Sequence, residues 1–229
     1  MASGAILARV SGLSYRYAPN EPIVLRDISL TIREGEIVVV TGPSGSGKTT
    51  LLSLLGMMRR VEPGHIRLFD TDVGDASALE IAALRRRVRF VFQKHYLLRS
   101  LTALQNVIAG VVANATTDRN WNETRALELL AAFGLGDYAS KWPDQLSVGQ
   151  QQRVAVARSL VGRPDLLLAD EPTASLDRMS ARLVMDQISE AARTMHCGLL
   201  ISTHDDRVRE VATRCIQISD GTLLPVSTD

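Results

Sequence analysis

The sequence predicts an α/β protein, with a mixed-sheet core, β-rich strands near the N-terminus and a helical insertion. Three observations predict it. Compact apolar runs such as "EIVVVTG", "VRFVF", "DLLLAD", "GLLIST" and "CIQIS" alternate with stretches of helical period, as buried strands and helices do. A glycine-rich turn, "GPSGSGKTT", stands between one of these strands and an apolar helix. A block from about Thr102 to Val161 is largely helical.

In chain order, "AILARVSGLSYRY" and "VLRDISLTI" read as strands joined through the turn-like "APNEP". "EIVVVTG" is a compact buried strand, and "TTLLSLLGMM" is the helix beyond the glycine-rich turn. The strand "VRFVF" precedes the helical block, which includes "NETRALELLAAF". The block closes on "LSVGQQQR", where Ser147 and Gln150 have the spacing of a capping box. Val154, Ala157 and Val161 then fall on one face of the helix that follows. "DLLLAD", "GLLIST" and "CIQIS" complete the strands. With no repeat or low-complexity linker, residues 1–229 read as one domain, its helical subdomain at about 100–161.

A chain of 229 residues can bury a proper core, and 45% hydrophobic with 22% charged residues is a globular composition. Twenty-six basic against 25 acidic side chains leave +1, which offers no overall attraction to nucleic acid or anionic lipid. No nucleic-acid partner is expected. Cys197 and Cys215 are too few for a disulfide framework and lack C-x-x-C spacing, so a reduced compartment is the simpler inference. No apolar run approaches the roughly 18 residues of a membrane span, and "MASGAILARVSG" lacks the marks of a signal peptide. A cytoplasmic location is expected.

The stretch from Gly42 to Thr50 satisfies G-x-x-x-x-G-K-[ST] in the strand-to-helix context that this phosphate-binding motif requires. Gly45 and Gly47 let the backbone wrap closely round phosphate, so that N–H groups of the loop, Ser44 and Ser46 included, point at its oxygens. Lys48 can reach the β and γ phosphates, the Thr49 hydroxyl can ligate Mg²⁺, and Thr50 closes the motif. A nucleoside triphosphate with Mg²⁺ is the ligand this loop calls for; that it is ATP is implied by the resemblance drawn below.

"LLLADE" ends a buried strand in Asp170 and Glu171, where a metal-holding carboxylate and a water-activating base belong. Asp170 would hold Mg²⁺ through water. Glu171 would orient and deprotonate the attacking water. Gln93, after "VRFVF", can sense the γ phosphate through Mg²⁺ or water, and His204, after "GLLIST", can touch that phosphate.

Tyr17, "GPSGSGKTT", Gln93, "LSVGQQQR", "LLLADE", "SLD" at 175–177 and His204 occur in the order of the ATP-binding-cassette (ABC) ATPases. The chain resembles that family over nearly its whole length. The resemblance implies that Tyr17 stacks on adenine, Gln93 is the Q-loop residue, Glu171 the catalytic base, Asp177 part of the D-loop and His204 the switch histidine. It also implies a head-to-tail homodimer in which Ser147, the Gly149 N–H and neighbouring Gln150 of one copy meet the γ phosphate held by the other. The family's commonest signature has glycine where Val148 stands. Valine is accommodated there only with φ below zero. Tyr15, two residues from Tyr17, is expected to share its strand face.

"TGPSGSGKTTLLSLLG", "FVFQKHYLLRSLTALQNV" and "LADEPTASLD" are similar to the branch containing the lipoprotein-release, macrolide-export and heterocyst-glycolipid-export ATPases. That similarity implies a dimer beneath a separate integral membrane permease, sometimes with a periplasmic adaptor, and hence a peripheral place on the inner face of the membrane. It implies ATP-driven mechanical export of lipid, lipoprotein, drug or peptide. Tyr96, Leu97 and Leu98 after Gln93 are expected to divide between meeting the permease and packing the helical subdomain. A guanine-nucleotide switch is excluded by the lack of an N-K-x-D motif. A chromosome-maintenance ATPase is disfavoured because only about a hundred residues, without sustained heptads, separate P-loop and signature. The alternative carried forward is a non-transport ABC ATPase, a cell-division regulator or a soluble assembly scaffold.

Overall fold

The computed structural model describes residues 4–111, 119–204 and 206–224. Its elements in chain order are β1 (Ile6–Tyr15), β2 (Leu25–Arg33), β3 (Ile37–Thr41), α1 (Lys48–Leu55), β4 (Ile66–Leu68), β5 (Thr71–Asp72), α2 (Ala78–Arg87) and β6 (Val88–Val91). There follow α3 (Ala103–Ile108), α4 (Arg119–Ala132), α5 (Val148–Leu160), β7 (Leu166–Asp170), α6 (Arg178–Thr194), β8 (Gly198–Ser202), β9 (Arg214–Ser219) and β10 (Thr222–Leu224).

Two sheets organise the chain. One is antiparallel, in the order β2-β1-β4-β5; the other is mixed, in the order β10-β9-β3-β8-β7-β6. In the mixed sheet β9, β3, β8, β7 and β6 run parallel and β10 pairs antiparallel with β9. The expected α/β class, with a mixed sheet and antiparallel strands before it, is the fold observed.

Every residue of β3, β7 and β8 is buried, which explains why their sequences are unbroken apolar runs rather than alternating ones. Their side chains still alternate between two cores. Val38, Val40, Leu166, Leu168 and Leu200 face a core shared with the antiparallel sheet and α1. Ile37, Val39, Leu167, Ala169, Leu199 and Ile201 face the other core, built with α3 to α6. Each such valine, leucine or isoleucine contributes about 1.5–3 kcal/mol on burial, so the central strands are held from both sides.

Within the expected helical subdomain lie α3, α4 and α5, while residues 112–118 fall outside the described residues. Each visible cap has a chemical cause. Thr102 and Gln105 form a capping box for α3, Ser147 and Gln150 form one for α5, and Asp177 accepts from the Met179 and Ser180 N–H groups to cap α6. The helix expected over "TTLLSLLGMM" is shorter than that run: α1 stops at Leu55, with Gly56 as its C-cap. The strands β4, β5 and β10 and the helices α2 and α6 add to the elements expected from sequence.

Tyr15 and Tyr17 do not share a strand face. β1 ends at Tyr15, and the two rings meet edge to face with centroids 5.4 Å apart.

Candidate functional site

The parallel strands β3, β8 and β7 are neighbours, so the segments leaving their C-terminal ends meet. β3 leads into the glycine-rich loop, β7 ends in Asp170, and two residues past β8 stands His204. This is where an open parallel sheet places a ligand crevice.

Two glycines give the loop its shape. Gly42 has φ +145°, and a Cβ there would lie 2.1 Å from the Ile218 carbonyl oxygen. Gly47 has φ +108°, and a Cβ would lie 2.6 Å from Leu25 Cδ2. The loop is pressed against β9 and β2 at positions no other residue can occupy. Because Gly47 precedes α1, no side chain caps that helix, in contrast to α3, α5 and α6. No side chain accepts from its first turn, whose residues Lys48, Thr49 and Thr50 border the cleft described below, as an anion site requires.

Lys48 is buried at 7% exposure, and its Nζ donates to the carbonyl oxygens of Gly42 (2.8 Å) and Pro43 (3.0 Å). The ammonium is thus held over the loop with its charge unneutralised by any carboxylate in those bonds. Thr49 Oγ1 donates to Asp170 Oδ1 at 3.0 Å, and Ser202 Oγ donates to the same oxygen. Ser202 also meets the Glu171 N–H, which lies 3.2 Å from its Oγ and 3.0 Å from its carbonyl oxygen.

Glu171 has φ +48°, a conformation uncommon for a residue with a Cβ, and its backbone is fixed there by the Ser202 bonds. Its carboxylate Oε2 stands 2.8 Å from His204 Nδ1, with the carboxylate side chain 15% exposed and the imidazole 67% exposed. With a proton on Nδ1 the ring donates to the carboxylate.

These groups border one cleft of about 750 Å³, whose walls include Tyr17, Ser44, Gly45, Gly47, Lys48, Thr49, Thr50, Gln93, Glu171 and His204. Tyr17 is tied to the loop by a 2.6 Å hydrogen bond between its hydroxyl and Thr50 Oγ1. Gly42 and Ser46 lie in the loop behind this wall, and Ser46 is buried. Asp170 reaches the cleft through its bond to Thr49.

Ser147, Gly149, Gln150 and Asp177 form a separate group that does not border the cleft. Ser147 Oγ accepts from the Gln150 N–H (3.2 Å), and the Ser147 N–H donates to Gln150 Oε1 (2.9 Å). Ser180 Oγ donates to Asp177 Oδ2 (2.6 Å) and lies 3.3 Å from where a Cβ on Gly149 would be, so the starts of α5 and α6 adjoin. Val148 occupies the first turn of α5 and is not among the residues with positive φ, which satisfies the condition for valine there. Its side chain is half exposed.

Beyond Gln93, Leu97 packs against the helical core while Tyr96 and Leu98 are exposed. Arg158 of α5 donates to the carbonyl oxygens of His95 (2.8 Å) and Tyr96 (2.7 Å). Burial depresses the pKa of its guanidinium. Sequence reasoning did not select Ser202. Its only signal was a hydroxyl residue ending an apolar strand two positions before His204.

A family model described as "ABC transporter" matches residues 25–174. The lipoprotein-releasing system ATP-binding protein LolD of Novosphingobium aromaticivorans is 43% identical over 201 residues, covering 87% of this chain and 89% of that protein. The macrolide export ATP-binding/permease protein MacB of Bartonella quintana is 43% identical over 206 residues, covering 88% of this chain and 30% of that longer protein. Among solved structures, a dimeric post-hydrolysis state of the ATP-binding cassette MJ0796 bound to ADP and Pi matches with a TM-score of 0.84 at 32% identity. That match covers 96% of this chain and 97% of the other.

Proposed function

This chain belongs to the ABC transporter family and is an ATPase of it, and from that premise we propose that it is the motor subunit of a mechanical exporter. In this reading residues 1–229 act as one nucleotide-binding domain with its helical subdomain at about 100–161. Two copies close head to tail on two ATP molecules beneath an integral membrane permease, with a periplasmic adaptor as a further candidate partner. The chain then sits peripherally on the inner face of the membrane. No described helix is long and apolar enough to cross it.

The observation that carries the reading is the division of the site. Lys48, Thr49, Gln93, Glu171 and His204 border one cleft, while Ser147, Gly149 and Asp177 stand together elsewhere. A second copy would bring its α5 N-terminus to this cleft and supply what the first lacks. Ser147 and the Gly149 N–H would then bind the γ phosphate, and Asp177 would lie at the joint. Charge-assisted hydrogen bonds contribute roughly 1.5–3 kcal/mol each, so two or three per site decide whether the dimer closes.

Hydrolysis follows from the positions of the side chains. Glu171 takes a proton from water as the oxygen attacks the γ phosphorus, and the β–γ bridging oxygen leaves with ADP. Lys48 offsets charge on the β and γ oxygens from its seat on the loop carbonyls. His204, held on Glu171 at the border of the cleft, would meet the γ phosphate with its ring. Tyr17 receives the adenine ring.

The all-oxygen set of Thr49 Oγ1, Asp170 and the Gln93 amide suits Mg²⁺, a hard cation that binds few protein ligands and keeps its waters. Held there, the ion would offset negative charge on the phosphates. A macrolide, a lipoprotein or a lipid would contact the permease or adaptor, which leaves the motor's residues common to all three.

The test is recovery of partners. Tagged Glu171→Gln with Mg·ATP is captured from detergent-solubilised membranes of the native cell, and the bound proteins are identified by mass spectrometry. A permease with a large periplasmic domain is expected. Soluble partners alone, with the bait intact and dimeric, would replace the exporter reading with that of a scaffold ATPase.

A further inference from the structure

The Tyr17 ring is held from three directions. Its hydroxyl meets Thr50 Oγ1 at 2.6 Å, the Tyr15 ring meets it edge to face, and the Arg59 guanidinium carbon stands 4.4 Å from its centroid. Tyr17 lies past the end of β1 and Arg59 past the end of α1, so neither is held by the regular bonding of a strand or helix. The ring owes its orientation to these side-chain contacts. The hydroxyl bond fixes its reach, the near-perpendicular Tyr15 ring fixes its tilt, and the cation occupies a face.

Arg59 is exposed, and its one specific contact among the described residues is this ring; no described carboxylate pairs with it. Tyr17 and Thr50 belong to the wall of the P-loop cleft, whereas Arg59 does not. A guanidinium seated on one face of the ring leaves the opposite face as the one on which a base in the cleft would stack. Arginine suits this task because its planar, permanently charged group stacks on an aromatic face and is weakly hydrated.

We propose that Arg59 is a positioning residue for the nucleotide base: by covering one face of Tyr17 it presents the other at the angle a purine needs to stack. The proposal rests on the reading of Tyr17 as the base-stacking residue. Arg59 touches neither base nor phosphate in this arrangement and acts through the ring alone. It follows that Arg59 affects ligands that carry a base and is silent toward those that do not.

The test compares ADP with pyrophosphate, each with Mg²⁺, by calorimetric titration of the purified chain. Arg59→Ala is expected to weaken ADP two- to five-fold, the span of an exposed cation–π contact, and to leave pyrophosphate binding unchanged. Arg59→Lys, which keeps the charge but not the planar group, should restore only part of the loss. In a Tyr17→Ala background the Arg59→Ala change should have no further effect. Equal losses for ADP and pyrophosphate would overturn the proposal, because the cation would then serve the phosphates by charge. Tighter ADP binding by Arg59→Ala would overturn it too, since the guanidinium would be occupying the base's own place. Tyr17→Ala alone separates the two layers of the argument. If it leaves ADP affinity intact, the base-stacking reading fails and the proposal with it; if it weakens ADP while Arg59→Ala does not, only the role of Arg59 fails.

Discussion

His204 Nδ1 stands 2.8 Å from Glu171 Oε2, so the imidazole after β8 is in direct contact with the carboxylate after β7. A substitution at Glu171 that keeps shape but removes basicity should separate binding from chemistry. Glu171→Gln is expected to retain ATP, accumulate as a closed dimer on gel filtration and lose hydrolysis by about 10²–10⁴-fold. An active, monomeric variant would remove Glu171 from the role of base.

Ser147 serves the α5 cap with an oxygen lone pair, which leaves its O–H proton for a phosphate. Ser147→Ala should cost roughly 0.5–2 kcal/mol of monomer stability through the lost cap. Ser147→Asp keeps an acceptor at the cap but sets a negative charge where the γ phosphate would come. Thermal unfolding of that variant should match wild type, while ATP-dependent dimerisation of a Glu171→Gln background disappears. Dimerisation at wild-type affinity would show that α5 does not face phosphate.

Gly42 and Gly45 both have positive φ, yet they differ in what surrounds them. A Cβ at 42 meets the Ile218 backbone oxygen at 2.1 Å, whereas one at 45 meets nothing within 4 Å. Gly45→Ala should cost only the conformational strain, about 1–2 kcal/mol, and keep measurable ATP binding. Gly42→Ala must move the loop or β9, so it should lower the melting temperature further and abolish binding. Calorimetry of both variants with and without ATP checks the contrast.

Lys48→Ala removes the cation seated on the loop carbonyls. Nucleotide affinity and turnover should both fall, with affinity for ADP and for pyrophosphate lost together, unlike the base-selective pattern expected at Arg59. Unchanged affinity and turnover would displace the P-loop assignment.

The buried Cys197 thiol is pushed up to about 12 by desolvation and by the nearby Asp165 charge. The partly exposed Cys215 should therefore react with iodoacetamide at pH 8 in the native chain, and Cys197 only after unfolding. The same shift acts on stability. An unfolded chain releases this proton near the ordinary 9.0, and the folded chain holds it until about 12. The free energy of unfolding should fall across that window, by at most about 1.4 kcal/mol per pH unit from this group. Mass spectrometry of the labelled chain and denaturant titration at several alkaline pH values test both statements.

Strands buried on both faces were the most legible part of the chain, because β3, β7 and β8 are continuous apolar runs. β4, β5 and β10 span three, two and three residues, too short for any period to show. α6 has a period, with Ala181, Val184, Ile188 and Ala192 buried, but its many charged and polar neighbours hide it from a search for apolar runs. The cleft's own residues fall in local motifs, so their types could be read along the chain. The Ser202 bonds to Asp170 and Glu171 and the Arg59 seat on Tyr17 depend on which strands and loops become neighbours, and no local pattern encodes that.

The strand order has a consequence for how the chain is made. Thr49 and Asp170 bond across 121 positions of sequence, and β8 must enter between their strands before the mixed sheet is continuous. The phosphate loop precedes its partners Asp170, Ser202 and Ile218 by long stretches of sequence, 121 positions in the case of Thr49 and Asp170. A nascent chain lacking β8 has no seat for His204 and no fixed backbone for Glu171. Because these strands are distant in sequence but interleaved in space, the cleft takes shape only where β3, β8 and β7 lie side by side.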